Sequence, residues 1–212
     1  MVPVPKPGKK LDSPAHYRPI AVSSCLGRVL EKILSDRLQT FCVAKRIFNN
    51  TQCGFQPNRR TADVISLLLN DARNCLDRGR PCIMVAVDFS KAYDTVWHAG
   101  LLFKLAQFYG VGGNTLKWLR SFLHGRKVRV NGLGESTAWR KTRCGVPQGS
   151  SISPLLFILY TRDFTVQNPD KINVGIFADD TALWTKESYD FRCADDLKNE
   201  LHRLDGAVDG GS

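Results

Sequence analysis

Ala178-Asp179-Asp180 sets two adjacent carboxylates inside a stretch that otherwise reads as strand. Asn173-Val174-Gly175-Ile176-Phe177 precedes them and Thr181-Ala182-Leu183-Trp184-Thr185 follows. β-Branched and aromatic residues on both sides of a tight break predict a hairpin with the acids at its tip. By itself an Asp-Asp turn is an ordinary solvated turn. A third acid, Asp88, stands near the end of Cys82-Ile83-Met84-Val85-Ala86-Val87-Asp88-Phe89. That apolar run follows Gly79-Arg80-Pro81 and predicts a strand buried on both faces. A carboxylate there is costly unless it is paired or coordinates a metal. One acid on a strand end and two on a neighbouring hairpin tip suit hard divalent cations such as Mg²⁺, which takes oxygen ligands. Two such ions roughly 3.5–4 Å apart clamp the attacking and leaving oxygens of a phosphoryl displacement.

Further blocks stand in a fixed order along the chain. They are Tyr17-Arg18-Pro19-Ile20, Gln52-Cys53-Gly54-Phe55, Ala86-Val87-Asp88-Phe89-Ser90-Lys91-Ala92-Tyr93-Asp94, Gly145-Val146-Pro147-Gln148-Gly149-Ser150 and Phe177-Ala178-Asp179-Asp180. Together they resemble a reverse transcriptase, in particular that of retrotransposons lacking long terminal repeats. The resemblance implies an α+β fold, a polymerase fingers–palm with a small antiparallel palm sheet backed by helices. Residues 1–80 would be a fingers-like region, and residues 81–212 a palm with inserted helices and a basic hairpin. The family continues into a further palm segment, a primer grip and a helical thumb. The expectation is therefore a palm incomplete at its C-terminal end, with the thumb absent.

The implied activity is RNA-directed synthesis of DNA on a primer 3′-hydroxyl. Its implied partners are an RNA template, a DNA primer and deoxynucleoside triphosphates, with an endonuclease domain or other retrotransposon parts beyond them. Asp88, Asp179 and Asp180 would hold two Mg²⁺ ions, for which Mn²⁺ can substitute, and the Phe89 carbonyl would be an added ligand. Arg18 matches the family's triphosphate-contacting arginine, with Lys9 or Lys10 as companion. Tyr93 would be an aromatic gate beneath the incoming sugar, and Gln148 with Gly149 would pack near the incoming nucleotide. Asp94 is expected to cap or to form a salt bridge. The alternative is a retrotransposon remnant that binds template and primer with little or no turnover.

Composition agrees with a nucleic-acid partner. The formal net charge is +10, and the Lys and Arg residues from Lys6 to Arg60 face only Asp12, Glu31 and Asp36. Such an excess favours polyanions. Arg59 and Arg60 belong to it, as do Arg126, Lys127, Arg129, Arg140, Lys141 and Arg143 on a hairpin predicted to turn at Asn131-Gly132. These basic groups read as phosphate contacts to nucleic acid, with a solvated face as the alternative. The family commonly carries Arg at the position of Gln56 and Gly at that of Asn58, whereas Arg59 and Thr61 match its pattern.

The cysteines are odd in number and lack Cys-x-x-Cys spacing, so they read as free thiols of a reducing, intracellular setting rather than a zinc site. No apolar run is long enough to span a membrane, so no membrane partner is expected. A nuclear location is implied by the resemblance alone.

Helical periodicity fills the rest. Leu26, Val29, Leu30, Ile33, Leu34, Leu38 and Phe41 predict a helix with that stripe in the core, capped by Ser23 or Ser24. Val64, Ile65, Leu68, Leu69, Ala72, Cys75 and Leu76 predict a second, also packed through its apolar face. Further helices are expected to end at Gly110 and Gly125, to follow Pro154, and to run from Tyr189 to Leu204. The start, with Pro3, Pro5 and Pro7, is expected to be extended or irregular.

Overall fold

The computed structural model describes residues 1–89, 91–132, 134–186 and 192–209, the last by backbone alone at 192–193 and 204–209. The chain folds as two compact units that alternate along the sequence. One comprises Met1–Phe48 with Lys91–Thr161, and the other Asn49–Ser90 with Arg162–Ser212.

The second unit is built on an antiparallel sheet. Its strands are β3 (Met84–Asp88), β8 (Ile172–Phe177) and β9 (Asp180–Thr185), in the order β3-β9-β8. Cross-strand partners share a face, so register assigns every side chain to one side or the other. Val85, Leu183 and Val174 form one row and Val87, Thr181 and Ile176 the next. This face is the core. It packs with Phe164, Val166, Leu197 and Leu201, the two leucines being on helix α7 (Arg192–Asp209). Each fully buried leucine or isoleucine here contributes about 1.5–3 kcal/mol.

The opposite face holds the rows Met84–Trp184–Asn173, Ala86–Ala182–Gly175 and Asp88–Asp180–Phe177. Helix α2 (Thr61–Asp77) lies against the first of these: Asp71 accepts from Trp184 Nε1 at 2.8 Å and from Asn173 Nδ2 at 2.7 Å. A Cβ on Gly175 would meet Val64 Cγ1 at 2.3 Å, so only glycine admits the helix there. β3 is an edge strand whose Met84, Ala86 and Asp88 are exposed. The expectation of a strand buried on both faces is therefore corrected. An apolar run also suits an edge strand that has only one face in the core.

The first unit is mainly helical. Its helices are α1 (Cys25–Ala44), α3 (Ala92–Thr95), α4 (His98–Phe103), α5 (Gly113–Leu123) and α6 (Ser153–Tyr160). A π-helical turn, Lys104–Phe108, continues α4. α6 is the core element, with Leu155, Leu156, Phe157, Ile158 and Leu159 all buried, as an all-apolar helix requires.

α1 departs from its predicted burial. Glu31, Ser35, Leu38 and Cys42 face inward, whereas Leu26 is 84% exposed and Val29, Leu30 and Ile33 are also exposed. Polar contacts to Ser150 Oγ and the Ser151 backbone, described below, accompany this rotation. The first half of the apolar stripe is turned outward, while Leu38 stays buried and Leu34 and Phe41 are half-buried. On α2 too, Ile65, Leu69 and Leu76 are exposed, and Cys75 is the buried residue.

β1 (Val2–Pro5) pairs antiparallel with β2 (Tyr17–Ile20) despite its prolines. Proline donates nothing, so the Pro3–Pro19 pair takes a non-hydrogen-bonded position and leaves Val2–Ile20 and Val4–Arg18 to bond. In the basic hairpin, β4 (Lys127–Val128) pairs with β7 (Arg140–Lys141) and β5 (Asn131–Gly132) with β6 (Glu135–Ser136). Asn131 and Gly132 are thus strand residues. The reversal falls after them, where Gly134 takes φ 82°.

Cys25, Cys42, Cys53, Cys75, Cys82 and Cys144 are free thiols. Burial pushes the Cys42 thiol up to about 12, which makes it a small hydrophobe. Among the described residues no helix is long and apolar enough to cross a membrane.

Candidate active site

β8 and β9 form the predicted hairpin, with Ala178 and Asp179 as its turn. Ala178 adopts φ 62°, the left-handed geometry that a two-residue turn needs to match strand twist. Asp180, the first residue of β9, lies directly opposite Asp88, the last of β3. Their side chains therefore leave the same face of the sheet, and Asp179 adjoins them on the turn. Asp88 and Asp180 are exposed and Asp179 is half-buried. No lysine or arginine pairs with any of them among the described residues. The small side chains of Ala86 and Ala182 occupy the row beside the acidic one. Phe89 follows Asp88 and packs edge-on against Phe164, with centroids 5.6 Å apart.

These are hard oxygen donors without protein counter-charges, a donor set that suits Mg²⁺. Asp88 and Asp180 are brought onto one face, whereas no group of three or more His, Cys, Asp or Glu side chains is gathered closely enough to hold an ion among the described residues.

The turn is held from beneath by Gln52, a residue with no role in the sequence reading. Its segment forms a parallel bridge to Ile176: Cys53 N–H donates to Ile176 O at 2.7 Å, and Ile176 N–H to Thr51 O at 2.9 Å. Gln52 is 4% exposed. Its Oε1 accepts from Ala178 N–H at 3.0 Å and from Gly54 N–H at 2.7 Å, while Nε2 donates to Ala178 O at 3.4 Å. In a turn-rich segment a polar residue reads as solvated. The one sequence signal for burial is its place beside Cys53 and Gly54.

The nucleotide-side candidates fall in the first unit. Tyr93, on α3, is half-buried and stacks on Phe157 with centroids 4.8 Å apart. Its carbonyl accepts from Val146 N–H at 2.7 Å, which ties α3 to the 145–150 loop. Gln148 Nε2 donates to Asp94 Oδ1 at 3.3 Å, so Asp94 orients this glutamine. Gln148 O accepts from Ala21 N–H at 2.7 Å, just past β2, and Gly149 takes φ 97° beside Ala21. Glu31 anchors the end of the loop, accepting from Ser150 Oγ at 2.6 Å and Ser151 N–H at 3.1 Å.

The basic residues differ among themselves. Arg18, on β2, is exposed, as are Lys9, Lys10, Arg59 and Arg60. Asn58 sits at φ 58°, where asparagine can stand in for glycine, and Gln56 Nε2 donates to Asn49 O at 3.0 Å. Lys127 faces Lys141 directly across β4–β7, and Arg140 and Arg143 are exposed. Arg129 lies 4.9 Å over the Trp139 ring. Arg126 is half-buried, 5.2 Å over the Phe122 ring; burial lowers its pKa, and the charge of Glu31 opposes that shift.

An antiparallel acidic hairpin in the second unit and a mainly helical first unit together define a class. Residues 4–204 match the family described as reverse transcriptase (RNA-dependent DNA polymerase), and the chain belongs to it. It is 34% identical over 189 residues to the probable RNA-directed DNA polymerase from transposon BS of Drosophila melanogaster, covering 84% of this chain and 20% of that one. Against the RNA-directed DNA polymerase from mobile element jockey of Drosophila funebris it is 29% identical, covering 92% of this chain and 22% of the relative. The chain thus spans 20% to 22% of the length of these relatives. The resemblance to reverse transcriptases of retrotransposons is borne out. Telomerase from Candida albicans, solved in complex with a telomeric RNA fragment, shares the fold at TM-score 0.58 and 18% identity, over 82% of this chain and 32% of that one. The expected α+β architecture stands on that likeness and on the sheets and helices above.

Proposed function

We propose that this chain carries the polymerising centre of an RNA-directed DNA polymerase of a retrotransposon without long terminal repeats, acting on an RNA template, a DNA primer and deoxynucleoside triphosphates. The observation that carries the reading is Asp88 facing Asp180 across one antiparallel pair, with Asp179 on the adjoining turn. Asp88, Asp179, Asp180 and the Phe89 carbonyl would hold two Mg²⁺ ions, with Mn²⁺ as a substitute. Bound there, the cations acidify the primer 3′-hydroxyl and neutralise charge on the triphosphate.

The chain's own residues do the positioning. The guanidinium of Arg18 offers a fork to phosphate oxygens, and Lys9 or Lys10 a point charge. Tyr93, braced by Phe157, lies under the sugar and clashes with a 2′-hydroxyl. Gln148, oriented by Asp94, and Gly149 line the nucleotide side. Arg59, Arg60 and the 126–143 hairpin hold nucleic-acid phosphates. The Lys127–Lys141 pair supports this last role, since like charges set opposite one another are relieved by a polyanion. In this reading residues 1–80 serve as fingers and residues 81–212 as palm. The site of action is the nucleus, and an endonuclease belongs to the same element.

The test is extension of a DNA primer on an RNA template by the purified protein, with Mg²⁺ and with chelator. Mg²⁺-dependent addition of deoxynucleotides is expected. Tight template–primer binding without addition would establish the alternative, a non-catalytic binder.

A further inference from the structure

We infer that Gln52 is a positioning residue for the acidic turn: its carboxamide closes on both backbone polar groups of Ala178 and so sets the direction of Asp179. This rests on the proposed role of Asp179 as a cation ligand.

Three features carry it. First, Ala178 is a non-glycine residue at φ 62°, a conformation that costs free energy unless its surroundings impose it. Second, the contacts are reciprocal. Ala178 N–H donates to Oε1 and Ala178 O accepts from Nε2, at 3.0 and 3.4 Å, so one side chain pairs the turn's backbone as a further strand would. Third, the approach is built to be close. A Cβ on Gly54 would lie 2.4 Å from Ala178 N, and Gly54 N–H gives Oε1 its second donor at 2.7 Å.

No other side chain reproduces this set. Asparagine is a methylene shorter, methionine fills the space without polar contacts, and glutamate cannot donate to Ala178 O when ionised. The amide also adds no charge one residue from Asp179. Fixing the turn rather than filling a core is the function that these contacts describe.

The experiment compares the wild-type protein with Gln52→Met and with Asp71→Asn, which perturbs polar contacts elsewhere in the same unit. Amide hydrogen exchange at Ala178 reads the contact whether or not the protein polymerises. It is expected to quicken by about tenfold in Gln52→Met and to stay unchanged in Asp71→Asn. Primer extension then reads the consequence. The rate at saturating nucleotide should fall about 100-fold in Gln52→Met, as a misplaced reacting group implies, with template–primer affinity kept. The Mg²⁺ concentration for half-maximal rate should rise.

Unchanged exchange at Ala178 overturns the proposal. So does quickened exchange with a wild-type rate and Mg²⁺ requirement, or a rate loss matched by an equal loss of template–primer binding. A wild-type protein that never extends a primer refutes the polymerase reading instead. In that case Mn²⁺ binding, measured by relaxation of water protons, replaces rate: it should weaken in Gln52→Met, and unchanged binding overturns the inference.

Discussion

The 178–179 turn of the second unit and the 145–150 loop of the first are each held by one buried polar side chain, but the two anchors differ in charge. Gln52, at the turn, is neutral and both donates and accepts. Glu31, at the loop, is a carboxylate, 5% exposed, that only accepts. What each must hold accounts for the difference. The turn presents the N–H and the C=O of one residue and carries an acid, so a charged anchor would repel both the carbonyl and Asp179. The loop's end presents a hydroxyl and an N–H, two donors that a carboxylate satisfies with charge-assisted bonds. Glu31 lies near enough to Arg126 for its charge to oppose the lowering of that guanidinium's pKa by burial. The anchor follows the polarity of the groups it holds, and α1 turns Leu26, Val29, Leu30 and Ile33 outward to supply one.

Exchanging the anchors' chemistry should break the contrast most severely at the turn. Gln52→Glu puts an uncompensated charge in a buried site and should cost about 3–5 kcal/mol at neutral pH. Burial and the adjoining carbonyl would raise that carboxyl's folded-state pKa above about 4.3, the unfolded value. The deficit is then absent below that pH, grows as pH rises through it, and levels off once the group ionises in the folded state. Urea denaturation of variant and wild type across this range measures it. A pH-independent difference would mean that charge is not what the turn excludes.

At the loop the reverse exchange is milder. Both donors meet one oxygen of Glu31, so Glu31→Gln keeps an acceptor for them but loses charge assistance, for about 1–3 kcal/mol. Thermal denaturation and the nucleotide KM should shift together, because the loop carries Gln148. A stability loss with unchanged KM would separate the anchor from nucleotide binding.

Smaller still is Tyr93→Ala. The variant should lose the stack of Tyr93 on Phe157, about 0.5–1.5 kcal/mol, together with the area that this half-buried ring covers. Ribonucleotide incorporation relative to deoxynucleotide should rise well beyond what that loss explains. Unchanged selectivity would return Tyr93 to a packing role.

Lys127→Ala has the smallest effect, and its sign is diagnostic. Removing one of two facing lysines should stabilise the hairpin by about 0.2–1 kcal/mol. Template–primer binding should weaken, and the slope of log affinity against log salt should fall by about 1. Weakened binding with an unchanged slope would exclude a phosphate contact.

Local chemistry made much of this legible in the sequence. The acidic hairpin could be read because β-branched residues flank a break that only a turn accommodates. The α6 helix, the helix ends at Gly110 and Gly125 and the strand carrying Asp88 followed from periodicity and glycine placement. Long-range pairing was not legible: nothing in the 84–88 run says that it is an edge strand, or that Asp88 meets Asp180 and not Asp179. The exposed face of α1 was misread because periodicity weighs hydrophobicity alone, whereas Glu31 and Ser35 face inward to satisfy a loop more than a hundred residues away. Gln52 was missed for the same reason. Its partners lie 126 residues downstream, and only folding reveals them.

The Asp88–Asp180 row and its turn are proposed here as the catalytic centre. Single-turnover primer extension by Asp88→Asn and Asp180→Asn, with template–primer affinity measured on the same preparations, tests it most directly. The account predicts that each near-isosteric change lowers the rate by at least about 10²–10³-fold, as loss of a transition-state charge contact does, while affinity holds. Wild-type extension by either variant would contradict it.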